Sequence, residues 1–220
     1  MKKMLFISNI SNRITNFAIP SINAAHQLGY EFHMAANYSG FKDNPEKYNV
    51  TIHHIDLARN PFSLKNIKAY RQMLALMKKE QFNVVHCNTP IGGILGRICG
   101  KRAKIPKVIY TAHGFHFYKG APLINRTIFK WAEMWLARYT DAIITINQED
   151  YQAAQKFKLR NNGKVYYIPG VGVDTKAFRL EGVDKQVIRS ALGLSAEDIV
   201  LIAMGDLIQR KNYAASIKAI

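Results

Sequence analysis

Cysteine is almost absent from this sequence. Cys87 and Cys99 are the only two in 220 residues, and neither belongs to a C-x-x-C pair. A disulfide framework is therefore excluded, a zinc or redox site is disfavoured, and a reduced, cytosolic compartment is expected. Long apolar runs are missing too. No stretch approaches the roughly 20 apolar residues of a membrane span. The run after Lys2 and Lys3 stops at Ser8-Asn9, short of the roughly 7–15 apolar residues of a signal peptide. A chain without a transmembrane anchor is expected. Acidic residues are scarce: 15 Asp and Glu stand against 31 Lys and Arg, a net charge of +16. Such an excess points to polyanionic partners, namely nucleic acid, an anionic membrane face or phosphorylated substrates. The basic residues never form a run of five, so a disordered nucleic-acid-binding arm is not indicated.

What is present is an alternation. Short apolar, β-branched runs at 4–8, 31–36, 50–55, 83–87, 107–111, 142–146 and 164–168 read as strands. Between them, amphipathic stretches at 16–29, 63–80, 91–102, 122–139 and 148–157 read as helices. In the helix at 63–80, Ser63 suits the N-cap, and Ile67, Tyr70, Leu74 and Met77 form the stripe expected to face a core. The pattern predicts an α/β domain with a doubly wound parallel sheet, buried on both faces. Ligands of such sheets bind at the carboxyl ends of the strands. After Pro169 a glycine-rich linker begins. A helix at 185–192, a strand at 198–204 and a helix from about Asn212 read as the start of a second βα unit, in a further domain. The boundary is placed so that 1–178 is the first domain and 179–220 the linker and first βα unit of the second.

Four segments can carry chemistry or binding. The first βα turn is Ser8-Asn9-Ile10-Ser11-Asn12-Arg13. It has no glycine, so the backbone approach to a pyrophosphate that G-x-G-x-x-G provides is missing. NAD(P) or FAD binding is disfavoured there, and with it a dehydrogenase or epimerase. The polar residues Asn9, Ser11 and Arg13 remain candidates for holding an acceptor, or are an ordinary surface turn. The second segment, Thr111-Ala112-His113-Gly114-Phe115-His116, follows a strand directly. His113 and His116 have no local carboxylate or cysteine, which argues against a metal. The third is Gly205-Asp206-Leu207-Ile208-Gln209-Arg210-Lys211-Asn212, a strand–glycine–loop–helix unit whose cations suit an anion such as a diphosphate; a solvated loop is the plainer reading. The helix at 122–139 joins Phe129, Trp131 and Trp135 to Arg126, Lys130 and Arg138. That combination fits a membrane interface or a lipid, although large aromatics on a helix more often fill a core.

The stretches VVHCNTPIGGILGRI (84–98), VIYTAHGFHFYKGAPLINR (108–126), ARYTDAIITINQEDY (137–151) and GVGVDTKAF (170–178) closely resemble bacterial family-4 glycosyltransferases of capsule and exopolysaccharide synthesis. The resemblance runs from MLFISN to GDLIQRKN. It implies the N-terminal Rossmann-like domain of a GT-B fold, with the acceptor held by the first domain and the nucleotide-sugar donor by the second. It also implies a retaining, metal-independent hexosyl or N-acetylhexosaminyl transfer without cofactor. His113 matches the family's histidine that contacts the transferred sugar, and Gly114 and His116 lie on the acceptor side. Lys211 matches the lysine on the donor diphosphate, with Arg210 and Gly205 beside it. Asp206 departs from the basic residue many relatives carry there, which weakens any two-cation clamp. The family's paired glutamates would lie past Ile220, so the chain is expected to be a fragment, inactive alone. The expected partners are a nucleotide sugar, a glycan or lipid-linked acceptor and an anionic membrane surface at the inner face of the plasma membrane, with no nucleic acid. A non-catalytic Rossmann-like module for anionic ligands or nucleic acid is the alternative.

Overall fold

Seven strands build one parallel sheet in a computed structural model that describes residues 1–220 apart from 171, 173, 174, 177, 180 and 208–210. The chain divides into two compact units, Met1–Gly172 and Val173–Ile220. In the first, strands β1 (Lys2–Ile10), β2 (Tyr30–Asn37), β3 (Val50–His54), β4 (Val84–Asn88), β5 (Lys107–Ala112), β6 (Ala142–Thr145) and β7 (Lys164–Tyr167) alternate with helices α1 (Ile19–Gln27), α2 (Lys65–Glu80), α3 (Pro90–Arg102), α4 (Lys130–Ala137) and α5 (Gln148–Ala154). The strand order is β3-β2-β1-β4-β5-β6-β7, the doubly wound arrangement the βα alternation predicts.

Strand residues divide between two apolar layers with period two. Leu5 and Ile7 of β1 enter a core with Met73, Met77, Val85 and Cys87. Phe6, between them, enters a second core with Ile22, Phe32 and Met34. Both faces are thus covered, which is why the central strands read as continuous apolar runs. The edge strands β3 and β7 are mostly exposed or half-buried.

Helix α3 lies unusually close to the sheet. A Cβ on Gly96 would come within 2.5 Å of Cys87 Sγ, and one on Gly93 within 2.6 Å of the Tyr110 ring. Glycine is required at both positions by close approach, not by backbone freedom. The contact draws the start of α3 against the ends of β1 and β4.

Three local expectations are corrected. Helix α2 begins at Lys65 with Leu64 at its cap; Ser63 Oγ accepts from Lys65 N at 3.4 Å. Its buried face is Ala69, Met73 and Met77, while Ile67 is exposed and Tyr70 and Leu74 are half-buried. Met77 is buried as expected, and Tyr70 and Leu74 pack at the edge of the core; the contact line shifts toward Ala69 and Met73 because small Ala69 lets the helix sit down on that side. The helix expected at 122–139 opens with a π-helical turn at Asn125–Phe129 before α4. In the second unit, helices α6 (Lys185–Ala191) and α7 (Tyr213–Lys218) form, but residues 198–204 are not a strand. A parallel strand is held by its neighbours, and among the described residues of this unit no other strand is present to pair with.

Candidate functional site

The sheet order reverses between β1 and β4, so the connections from these strands run to opposite faces. A crevice is left beyond their carboxyl ends. β1 delivers Asn9 and Ile10, β4 delivers Asn88 and then Thr89, and β5 ends at Ala112, immediately before His113.

A cavity of about 460 Å³ opens at this edge. Asn9, Arg59, Thr89 and His116 supply much of its polar lining; Ile91, Phe117, Phe129 and Leu136 are among its apolar walls. The Asn9 side-chain oxygen is buried with no hydrogen-bond partner among the described residues, an acceptor that a ligand or water would satisfy. Thr89 adopts φ 63° and ψ 155°. A β-branched residue there is strained by about 1–3 kcal/mol, and such strain gathers at ligand sites. Its hydroxyl donates to the Asn88 carbonyl at 2.5 Å. Nothing in the sequence singles out Thr89 beyond its place between a strand and a glycine-rich helix.

His113 is exposed at the open edge of the sheet, beside the cavity lining and not in it. Its ring meets Phe17 edge-on, with centroids 5.5 Å apart. Its Nε2 lies 3.3 Å from Asn88 Oδ1. The Asn88 amide nitrogen donates to the His86 carbonyl at 3.4 Å, so the amide oxygen is left for His113. In that assignment Nε2 carries the proton and Nδ1 is the free acceptor. Although the ring reaches solvent, the packing around it lowers its pKa, favouring the neutral form. Behind it, His86 is buried, with Nε2 2.7 Å from the Thr111 hydroxyl and its pKa pushed down to about 4 by burial. The edge therefore presents the His113 imidazole in its neutral form at neutral pH, able to donate through one ring nitrogen and accept through the other.

The loop after β5 is fixed by carboxylates from α5. Phe115 N donates to Asp150 Oδ2 at 3.0 Å, and Asn147 Nδ2 donates to the same oxygen at 2.8 Å. Lys119 N donates to Glu149 Oε1. Gly114 turns the loop at φ +121°, a region closed to most side chains. Stacked Phe115 and Phe117 pack it down, centroids 4.7 Å apart. These anchors in the run Asn147-Gln148-Glu149-Asp150 are polar residues that sequence reasoning did not connect to the loop 30 residues earlier. On the far wall, fully buried Arg97 is bidentate to Glu133, at 2.8 and 3.2 Å, and sits 3.9 Å from the Tyr110 ring centroid.

Of the acceptor-side candidates, Asn9 and His116 share the cavity. Gly114 is in the loop just before it. Ser11 instead closes its own turn, its hydroxyl donating to the Arg13 carbonyl at 2.6 Å. Arg13 is exposed and does not line the cavity. In the second unit, a Cβ on Gly205 would lie 2.8 Å from the Tyr213 hydroxyl and 3.5 Å from Lys211 Cε. Gly205 and Lys211 are thus neighbours, and Lys211 and Asp206 are exposed. Arg210 lies outside the described residues. Among the described residues no cluster of three or more His, Cys, Asp and Glu side chains is placed to hold a metal.

A family model described as glycosyl transferase 4-like matches residues 3–147. The chain is 37% identical over 224 residues to EpsD of Bacillus subtilis (strain 168), named as a candidate glycosyltransferase; the match covers 99% of this chain and 57% of EpsD. It is 31% identical over 156 residues to an Escherichia coli UDP-Gal:alpha-D-GlcNAc-diphosphoundecaprenol alpha-1,3-galactosyltransferase, covering 71% of this chain and 40% of that one. The chain thus spans little more than half the length of the first relative and less of the second. Among solved structures, HepE of Anabaena in complex with UDP-glucose superposes with a TM-score of 0.57 at 15% identity, covering 88% of this chain and 50% of HepE. Sucrose-phosphate synthase from Thermosynechococcus elongatus superposes with a TM-score of 0.59 at 14% identity, covering 90% and 54%. At these identities the likeness concerns the fold, which is Rossmann-like.

Proposed function

This chain belongs to the glycosyl transferase 4-like family, and from that membership we propose that it is the acceptor-side part of a retaining glycosyltransferase of capsule or exopolysaccharide synthesis. A hexose or N-acetylhexosamine passes from a nucleoside-diphosphate sugar to a hydroxyl of a lipid-linked glycan. The bond between the anomeric carbon and the diphosphate breaks, a bond to the acceptor oxygen forms on the same face, and the nucleoside diphosphate leaves, its freed oxygen taking up the acceptor hydroxyl's proton. The E. coli relative is named for a UDP-sugar donor and a diphosphoundecaprenol-linked acceptor, which supports both classes, and HepE was solved with UDP-glucose, which supports the donor class alone. The observation that carries the reading is the exposed, neutral imidazole of His113 at the end of β5, beside a cavity at the point where the sheet order reverses.

In this reading His113 accepts a hydrogen bond from a hydroxyl of the transferred sugar through Nδ1. The cavity lined by Asn9 and His116 receives the acceptor. Lys211, with Gly205 beside it, holds the donor diphosphate and stabilises the charge that develops on it. No metal takes part, and activity is expected to survive a chelator. The net charge of +16 favours peripheral attachment to the anionic inner face of the plasma membrane, strongest at low salt. No helix among the described residues is long and apolar enough to cross a membrane.

The test is transfer from UDP-sugars to a diphospholipid-linked sugar, assayed in a longer chain that includes these 220 residues. His113→Ala is expected to lower kcat by on the order of 10²-fold, the scale of losing one hydrogen bond to a reacting group. Undiminished turnover would remove His113 from the site. The 220 residues alone are expected to show neither transfer nor donor hydrolysis, and turnover by them would place the whole reaction within this chain.

A further inference from the structure

The outer side of α4 and of the turn before it is apolar and, among the described residues, unpartnered. Leu123, Ile128 and Trp131 are 75%, 57% and 66% exposed. Ile124, Met134 and Trp135 are exposed with them. Trp131 and Trp135 stack nearly parallel, with centroids 6.5 Å apart, and Trp135 meets Tyr139 edge-on at 5.0 Å. The opposite side of the same helix lines the cavity and pairs Glu133 with buried Arg97. Folding of the sheet therefore does not account for the outer side.

Cations frame this face. A shallow groove of about 210 Å³ sets Trp131, Met134 and Trp135 against Arg138, Lys156 and Lys158. A neighbouring groove of about 630 Å³ adds Lys119, Arg126 and Lys130 beside Leu123. The acid in that second groove, Glu149, already accepts from the Lys119 backbone. Lys156 and Lys158 come from the segment after α5, so the folded chain gathers a positive rim that no local run of residues shows.

We propose that this face is a docking surface for an anionic lipid bilayer. Tryptophans with aliphatic neighbours insert at the boundary between headgroups and acyl chains, and a surrounding ring of Lys and Arg meets the anionic headgroups. Cations beside aromatic rings also suit a single-stranded nucleic acid, but here exposed aliphatic Leu123, Ile124 and Ile128 extend the row and offer bases no ring to stack on. The assignment deepens the membrane attachment given above by naming its surface. It rests on that attachment and not on the chemistry of sugar transfer.

The chain has only two tryptophans, Trp131 and Trp135, so its indole emission reports this face alone. The experiment uses the 220-residue chain with vesicles of phosphatidylglycerol and phosphatidylcholine at low salt. Co-sedimentation together with a blue-shifted emission, quenched by bromine-labelled acyl chains, is expected. Neutral phosphatidylcholine vesicles should give neither. Arg126→Gln with Lys130→Gln should weaken partitioning by about 30-fold, two charges at about fivefold each, with unchanged circular dichroism. Lys78→Gln with Lys79→Gln, on the exposed side of α2, should matter several-fold less. Binding with unshifted, unquenched tryptophans would overturn this surface while leaving membrane attachment standing. No binding to anionic vesicles would overturn both. An emission shift with oligouridine but none with vesicles would assign the face to nucleic acid and overturn the proposal.

Discussion

Asp150 illustrates how one side chain places a loop it is distant from in sequence. It is 4% exposed, and its carboxylate accepts from both the Phe115 amide and the side-chain amide of Asn147, the cap of its own helix. Truncation in Asp150→Ala leaves the Phe115 N–H unpaired, at a cost of about 1–3 kcal/mol. The urea midpoint should fall accordingly, and amide exchange at Phe115 should rise more than at the centre of β5. A fall in stability without faster exchange at Phe115 would mean that Asp150 acts elsewhere. The buried pair Arg97–Glu133 predicts a different pattern. Glu133→Ala strands a guanidinium with no exposure, costing about 3–5 kcal/mol, whereas Arg97→Met combined with Glu133→Leu should recover much of the loss. Equal losses in the single and double variants would show that packing, and not the unpaired charge, dominates. At this scale the sequence is only partly legible. His113 stands out because it follows an apolar run directly. Asp150, Asn88 and Thr89 do not, because their importance lies in which backbone group or strained turn they serve.

Elements were more legible where burial is two-sided. The runs that became β1, β2, β4 and β5 are apolar on both faces, so no choice of face had to be made from the pattern. Helix α2 shows the opposite case: of the expected stripe Ile67, Tyr70, Leu74 and Met77, only Met77 is fully buried and Tyr70 and Leu74 pack at the core's edge, while Ala69 and Met73 take the contact line at zero exposure and Ile67 is left out. Hydrophobicity alone ranks isoleucine above alanine, but closeness of approach favours alanine on the contact line. The run 198–204 reads as a strand by composition, and no partner strand is present among the described residues of its unit. Strand propensity measures fit to a sheet and cannot supply the sheet. Helix α3 permits a sharp test of close approach. Gly96→Ala gains about 1 kcal/mol of helix propensity but places a methyl within 2.5 Å of Cys87 Sγ. Overpacking costs about 1–3 kcal/mol, so net destabilisation in chemical denaturation is expected, partly relieved by Cys87→Ala. A stabilised Gly96→Ala would show that α3 can lift from the sheet freely.

Across the whole molecule, acid should weaken the fold in two separate windows. His86 titrates at about 4 in the folded chain because burial disfavours its charge, against an ordinary value near 6.5 when unfolded. The unfolded chain therefore takes up the proton first as pH falls. The contribution is intact above pH 6.5, is lost progressively down to about pH 4, and amounts to about 3 kcal/mol. His33 and His53, 2.8 Å apart across β2 and β3, are shifted down as well, chiefly by burial, and act in the same direction. Asp141 behaves otherwise. Burial opposes its charge, but hydrogen bonds from Arg160, the Val108 amide and Asn161 outweigh burial and hold its pKa below the carboxylate range. Its contribution is lost only below about pH 4, once the unfolded carboxylate begins to protonate. Because both tryptophans lie in the first unit, their emission follows that unit's unfolding. Urea midpoints between pH 7 and pH 4.5 should fall steadily in the wild type. In His86→Gln, which removes the titrating group, the same series should be distinctly flatter, while the further fall below pH 4 remains. A wild-type stability that stays level from pH 6.5 to 4.5 would mean that these imidazoles are solvated and titrate normally, and it would remove the support they lend to a neutral His113 at the neighbouring edge of the sheet.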